Sequence, residues 1–308
     1  AAPPMPLVPP ALAPLAIQTQ GRAGRMINKS LRLRLRLRPR LWSRLRPGKY
    51  IAVSRITLLT NLAYFTELLW RTVFMSLIIF IFSQLWAVIY SGTGAQSLGG
   101  LTYQQMIWYL VMTEAIVLAR PHVDNLIDQE VKNGDIAYRL NKPYSYLLYH
   151  YAAYMAEAVM RLVANFVVGS IIARLMAGTI QISVNSILLF IPAALIGLSI
   201  EFFIKVCIGL AAFWVEDTGS FSFLYDKALF IFGGMMIPLE LLPDTIRRIS
   251  MALPMNFVLY RPARLFVAYD AEAVWPMLGG QVAWLALLGL LCFIIYRTGG
   301  KRINVNGG

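Results

Sequence analysis

An all-α membrane protein with about six transmembrane helices is predicted by three properties of the 308-residue sequence: its apolarity, the lengths of its apolar stretches and the placement of its basic residues. Hydrophobic residues make up 58% of the chain and charged residues 14%, with a mean hydropathy of +0.62. A soluble domain carries roughly 45–50% apolar and about 25% charged residues. A helix that crosses a bilayer needs about 20 mainly apolar residues. Such stretches run near Leu68–Tyr90, Tyr103–Ala119, Tyr146–Ala177, Ile187–Val215, Phe221–Pro238 and Val274–Tyr296. The third and fourth exceed the minimum, so they are expected to tilt or to project from the bilayer.

Taken in order, residues 1–49 form a basic arm expected to be disordered. Its first 25 residues are rich in Pro and Ala and cannot hold a helix, and Met26 is the expected native start. "LRLRLRLRPR" (Leu31–Arg40) alternates with period two, but a lone strand at a membrane leaves its backbone unsatisfied. The arm is therefore read as a contact to anionic lipid rather than to nucleic acid, and it carries much of the net charge of +13. Residues 50–302 form the transmembrane domain and 303–308 a tail. Tyr50 to Glu67 suits an amphipathic helix along the interface before the first span.

Orientation follows from the basic residues. The arm, the loop with Arg120, Lys132, Arg139 and Lys142, and the end with Arg297, Lys301 and Arg302 belong on the cytoplasmic side of a bacterial inner membrane. An even number of spans then puts both termini in the cytoplasm. The last external connection, Pro238–Ala273, is too polar to span and too apolar to be a free loop. Pro238, Pro243, Pro254 and Pro262 divide it into helix-sized pieces, read as re-entrant or interfacial helices. These are expected to bury Ile237, Leu241, Ile246, Ile249, Met251, Leu253 and Phe257 while Asp244, Arg247 and Arg248 stay near the outer surface.

Several chemistries have no residues to support them. There is no G-x-x-x-x-G-K-[ST], no G-x-S-x-G and no H-E-x-x-H, so no cofactor or metal is expected in this chain. Cys207 and Cys292 lie in apolar runs and His122 and His150 lie far apart in sequence, which gives neither a disulfide framework nor a zinc spacing.

The polar segment "QEVKNGDIAYRLNKP" (Gln129–Pro143) interrupts this pattern as the one sizeable internal cytoplasmic loop. "DNLIDQEVKNG" reads as a short amphipathic helix with Leu126, Ile127 and Val131 on one side and Gly134 as its C-terminal breaker. It is either a lever that docks to another protein or an ordinary solvated loop.

"QEVKNGDIAYRLNKPYSYLLYHYA", followed by "GGMMIPLELLPDTIRRISMALPMNFVLYRPARLF", resembles permeases of the ABC-2 type, the membrane subunits of ATP-driven exporters. The matching positions are Glu130, Gly134, Leu140 and Pro143, then Gly234, Pro238, Pro243 and Pro254. The resemblance implies that the loop is a coupling helix seated in a cleft of a separate ATPase subunit, with Glu130, Asn133, Gly134, Asp135 and Arg139 at the contact. It also implies external helices at Pro238, Pro243 and Pro254 that cap the path, two ATPase subunits carrying ATP and Mg, and a second copy or a related permease beside this one.

Ionisable groups inside spans are costly and need a reason. Glu157 with Arg161 and Glu201 with Lys205 are four residues apart with the acid first, so each couple can neutralise itself on one helix face or can face a transport cavity. Glu114 and Arg71 have no helical partner at that spacing and are expected to pair across the first two spans. Asp226 and Lys227 are expected to snorkel. Trp42, Trp70, Tyr90, Tyr103 and Trp275 suit interfacial anchors. The resulting expectation is export of an amphiphilic or drug-like compound, or of a lipid or polysaccharide by the same plan. The rivals are an ion-coupled transporter using Glu114, Glu157 or Glu201, and a structural anchor.

Overall fold

The computed structural model describes residues 47–63 and 65–306; the arm before residue 47, with its Leu-Arg repeat and Trp42, lies outside the described residues. Among these the chain forms helices α1 (Pro47–Ala63), α2 (Phe65–Thr93), α3 (Tyr103–Ala119), α4 (Val123–Lys132), α5 (Asp135–Leu140), α6 (Tyr146–Ala177), α7 (Val184–Leu210), α8 (Gly219–Phe232), α9 (Asp244–Ala252), α10 (Met255–Val258), α11 (Tyr260–Val267) and α12 (Ala271–Asn306). The described residues contain no strand, only an isolated bridge between Leu98 and Leu101. The protein is an all-α membrane protein.

Four helical stretches, Trp70–Thr93, Tyr146–Ala177, Val184–Phe213 and Ala271–Lys301, are long and apolar enough to cross a bilayer. The other two expected spans are shorter. α3 has 17 residues, about 25 Å of helix, and α8 has 14, about 21 Å. α8 stops at Phe232 because Gly233 and Gly234 follow, and Gly234 adopts φ +66°. The end of the expected fifth span therefore leaves the helix.

α3 is the hub of the bundle. Residues Met106 to Ile116 are all buried, as an apolar helix surrounded by other helices requires. α6 runs against it, and the Trp108 indole donates to the Gly178 carbonyl at 3.0 Å. Thr102 and Gln105 cap α3 reciprocally, and the Gln105 amide also donates to the Val267 carbonyl at 3.1 Å, fastening α3 to α11. α1 lies along the start of α6, where Lys49 donates to the Pro143 carbonyl (2.8 Å) and Ser54 to the Ala152 carbonyl (3.0 Å).

In Pro238–Ala273 three of the four prolines act as anticipated: Pro238 precedes a 3-10 turn at Leu239–Leu241, Pro243 precedes α9, and Pro254 precedes α10, whereas Pro262 lies inside the first turn of α11 and divides nothing. The burial differs from the expectation. α10 and α11 pack into the bundle, with Val258, Leu259 and Ala263 fully buried and Phe257 nearly so. α9 instead turns Ile246 and Ile249 outward, and Ile237 and Leu241 are exposed as well. An amphipathic helix at a membrane satisfies its apolar face with lipid and does not need protein to cover it. The anchors also divide: Trp70 and Trp275 are exposed, whereas Tyr90 and Tyr103 pack edge-to-face and Tyr90 donates inward to the Leu101 carbonyl at 2.7 Å.

Candidate functional site

The polar loop folds into α4 and α5, joined through Asn133 and Gly134. α4 carries Asp124 in its first turn and Lys132 in its last, a charge order that favours the helix dipole, and an Asp128–Lys132 ion pair of 2.7 Å one turn apart. Gly134 adopts φ +78°, a conformation costly for residues with a Cβ, and ends α4 so that α5 can start. The buried stripe of α4 is Val123, Asp124, Ile127 and Glu130. Leu126 is not part of it and is 47% exposed. The outward surface also holds Lys132, Asn133, Gly134, Asp135 and Tyr138.

Glu130 points inward, not to this outer surface. It accepts from the Tyr146 hydroxyl at 2.7 Å, and its other oxygen lies 3.0 Å from Arg139 Nε. His150 Nε2 lies 3.3 Å away. Burial pushes the Glu130 carboxyl up, but the neighbouring His150, the hydrogen bond from Tyr146 and the charge of Arg139 outweigh it and hold it below the usual range. Glu130 is a clamp between α4, α5 and α6, and Arg139 is the other jaw.

The inner side of α4 packs on α7 at Gly209, where a Cβ would come within 2.7 Å of the Asp124 carbonyl oxygen and 2.9 Å of Ile127 Cβ. Beside this contact lies a buried ion network. Lys205 Nζ is 3.1 Å from Asp124 Oδ2 and 3.1 Å from Asp226 Oδ1. Arg120, which caps α3, is 2.6 Å from Glu201 and 3.3 Å from Asp226. The Tyr225 hydroxyl donates to Glu201 and the Ser222 hydroxyl to Asp124. Nearby, Thr218 donates to Asp128 at 2.7 Å. Burial raises the Asp124 carboxyl, but Ser222 and Lys205 hold it below the usual range. Two cations and three carboxylates thus bind α4 to the end of α3, the C-terminal third of α7 and the middle of α8.

The sequence-derived pairings meet different outcomes here. Glu157 and Arg161 do form their pair along α6. Glu201 and Lys205 do not neutralise each other, because each reaches a partner on another helix. Asp226 joins the network instead of snorkelling, while Lys227 lies over the Phe223 ring at 5.1 Å. Glu114 is 1% exposed and neither of its carboxylate oxygens has a hydrogen-bond partner, so no bond to Arg71 forms. Arg71 lines a groove with His122, His150, Tyr154, Glu157 and Arg161. Cys207 and Cys292, remote in sequence, belong to one apolar cluster and are both free thiols. Arg120, Asp124, Ser222 and Tyr225 were not legible as members of one site, since no local spacing links them.

No curated protein matches the chain. The sequence profile described as "ABC-2 family transporter protein" matches residues 73–307, from the third turn of α2 through α12. The match covers more than half of the chain and includes every helix that contributes to the ion network, so the chain belongs to the ABC-2 family of transporters, as a membrane permease subunit rather than the ATPase.

Proposed function

We propose that this permease exports an amphiphilic or drug-like compound across a bacterial cytoplasmic membrane, driven by ATP hydrolysis on two separate ATPase subunits. A second copy or a related permease completes the path. The observation that carries this reading is the two-sided construction of α4–α5. Its outer surface presents Leu126, Asn133, Asp135 and Tyr138, while its inner surface is fixed by Asp124 and Glu130 to α6, α7 and α8. A push on the outer surface would therefore reach the spans through buried, directional bonds rather than through a flexible loop.

The family implies association with an ABC ATPase. ATP and Mg belong to that partner in this reading, and Asn133, Gly134 and Asp135 form the contact, with Glu130 and Arg139 positioning it. The basic residues Lys132, Arg139, Lys142 and Arg297 support a cytoplasmic location for the α4–α5 end and for both termini. α9 to α11 then cap the path outside, and lipid covers the exposed apolar faces. Lipid or polysaccharide export would use the same plan.

One observation favours a second reading. Glu114 is a buried carboxylate without a partner inside the bundle, the kind of group an ion-coupled transporter uses. Proteoliposomes separate the two. With the ATPase present, ATP should drive export in the presence of a protonophore; export without any ATPase subunit, abolished by the protonophore, would establish the second reading.

A further inference from the structure

We propose that the groove between α9, α11 and the first turns of α12 holds the headgroup of a zwitterionic phospholipid, with its phosphate on Arg261 and its ammonium toward Asp270. The groove has a volume of about 290 Å³. That is near the lower end of the range for small-molecule sites, roughly 300–1,000 Å³, and suits a headgroup better than a whole drug-sized compound. The proposal concerns a resident lipid and does not depend on an ATPase docking at α4–α5.

The first observation is the distribution of charge. Arg261, Arg264, Glu240 and Asp270 line the groove, and three of the four are engaged. Arg264 Nε lies 3.4 Å from Glu240, and its NH1 donates to the Gly99 carbonyl at 3.1 Å, so this guanidinium is turned toward the α2–α3 loop. Glu240 also accepts from the Tyr260 hydroxyl. Asp270 is exposed and accepts from the Glu272 backbone N–H at 3.0 Å, where the start of α12 favours a negative charge.

Arg261 is the exception. Its Nε donates to Asn256 Oδ1 at 2.7 Å and its guanidinium lies over the Phe257 ring at 4.4 Å, which fixes its direction without supplying a negative charge. Among the described residues no carboxylate lies within ion-pair distance of Arg261 and its terminal nitrogens have no hydrogen-bond partner. Burial accordingly holds this guanidinium below its ordinary value, and no carboxylate offsets the effect. The planar donors that remain match the oxygens of a phosphate. A purely anionic ligand would still meet Asp270 at the rim, whereas an ammonium beside the phosphate turns that carboxylate into a partner.

The second observation is the opposite wall, formed by Met251, Leu265 and Met277. Leu265 and Met277 belong to a small apolar cluster with Ala193 and Val274, apart from the main core. Water alone would solvate Arg261 and leave this wall wet, while a phospholipid serves both sides.

Depth is the third observation. Ala273 and Met277 stand in the first two turns of α12, at the start of the apolar stretch Ala271–Lys301. Trp275, between them, is 78% exposed, as an interfacial anchor requires. Lipid headgroups occupy that level.

The test uses the full chain in a maltoside detergent, titrated with dioleoyl phosphatidylethanolamine, with dioleoyl phosphatidylglycerol or with free phosphoethanolamine, and followed by native mass spectrometry. Phosphatidylethanolamine should bind the unaltered protein, and Arg261→Gln should weaken it at least about tenfold. Asp270→Asn, which keeps a capping side chain, should weaken it about threefold and erase the preference over phosphatidylglycerol. Arg248→Gln, exposed on α9 outside the groove, should bind normally. Because Arg261→Gln also removes the bond to Asn256 and could disturb folding, Ala273→Phe is a further variant: it fills the groove from an exposed position and should block the lipid at an unchanged melting temperature. Equal binding by Ala273→Phe and the unaltered protein, or no phosphatidylethanolamine on the unaltered protein, would overturn the site. Phosphatidylglycerol binding as tightly as phosphatidylethanolamine would overturn the zwitterion assignment, and free phosphoethanolamine binding as tightly would overturn the lipid assignment.

Discussion

Lys205 on α7 bonds to Asp124 on α4 at 3.1 Å, with both side chains almost wholly buried, and leaves Glu201, one turn away on its own helix, to Arg120. The bond joins the polar loop element to the C-terminal third of an apolar helix, and it decides which substitutions the protein tolerates.

Removing one member of a buried ion pair leaves the other charge without compensation, at a cost of about 3–5 kcal/mol. Lys205→Met should therefore lower the melting temperature sharply. Adding Asp124→Asn should recover part of the loss, because the two substitutions share one interaction. Additive losses in thermal unfolding would remove the pair from the account.

The two acid–base couples that look alike in sequence should behave differently. Exchanging Glu157 with Arg161 keeps a self-contained pair and should change stability by less than about 1 kcal/mol. Exchanging Glu201 with Lys205 sets Lys against Arg120 and Glu against Asp124, and should prevent accumulation of folded protein. Equal tolerance of both exchanges, read by detergent-resistant yield and melting temperature, would contradict the network.

Gly209 is the point where α4 touches α7. Gly209→Val should displace α4, at a cost of about 1–3 kcal/mol from overpacking. Membrane insertion should persist, whereas stimulation of the ATPase should fall strongly. Normal stimulation would show that the α4–α7 contact does not transmit.

The pH dependence has a defined sign. Asp124 and Glu130 are both held below their ordinary values of 3.8 and 4.5. A carboxyl with a depressed value adds stability above the unfolded value and loses it as pH falls through the folded one. The α4 clamp should be complete above about pH 5 and weaken as pH drops below about 4. Amide hydrogen exchange in α4, corrected for intrinsic rates, should show protection lost on the acid side only.

Much of the fold was legible because its signals are local. Apolar length located the four helices long enough to cross a bilayer, prolines located the starts of the short helices at Pro243 and Pro254, and the spacing of Glu157 and Arg161 gave a pair that forms. The site was legible only in part. Helical spacing identifies neighbours on one helix but says nothing of partners on another, which is why Glu201 with Lys205 was misassigned and Arg120, Asp124 and Asp226 were not gathered together. The same limit hid the shared cluster of Cys207 and Cys292. Leu126 and α9 misled for a second reason: at a membrane or a docking surface, apolar side chains need not face the protein core.

The central claim is that the outer surface of α4–α5 receives the ATPase. It is tested most directly by photo-cross-linkers placed singly at Asn133, at Tyr138 and, as a control, at Thr245 on α9, all in the full chain in native membranes. The account expects Asn133 and Tyr138 to capture a protein that mass spectrometry identifies as an ABC ATPase, and Thr245 not to. Capture of the ATPase at Thr245, or its absence at both Asn133 and Tyr138 while it co-purifies with the permease, would contradict it.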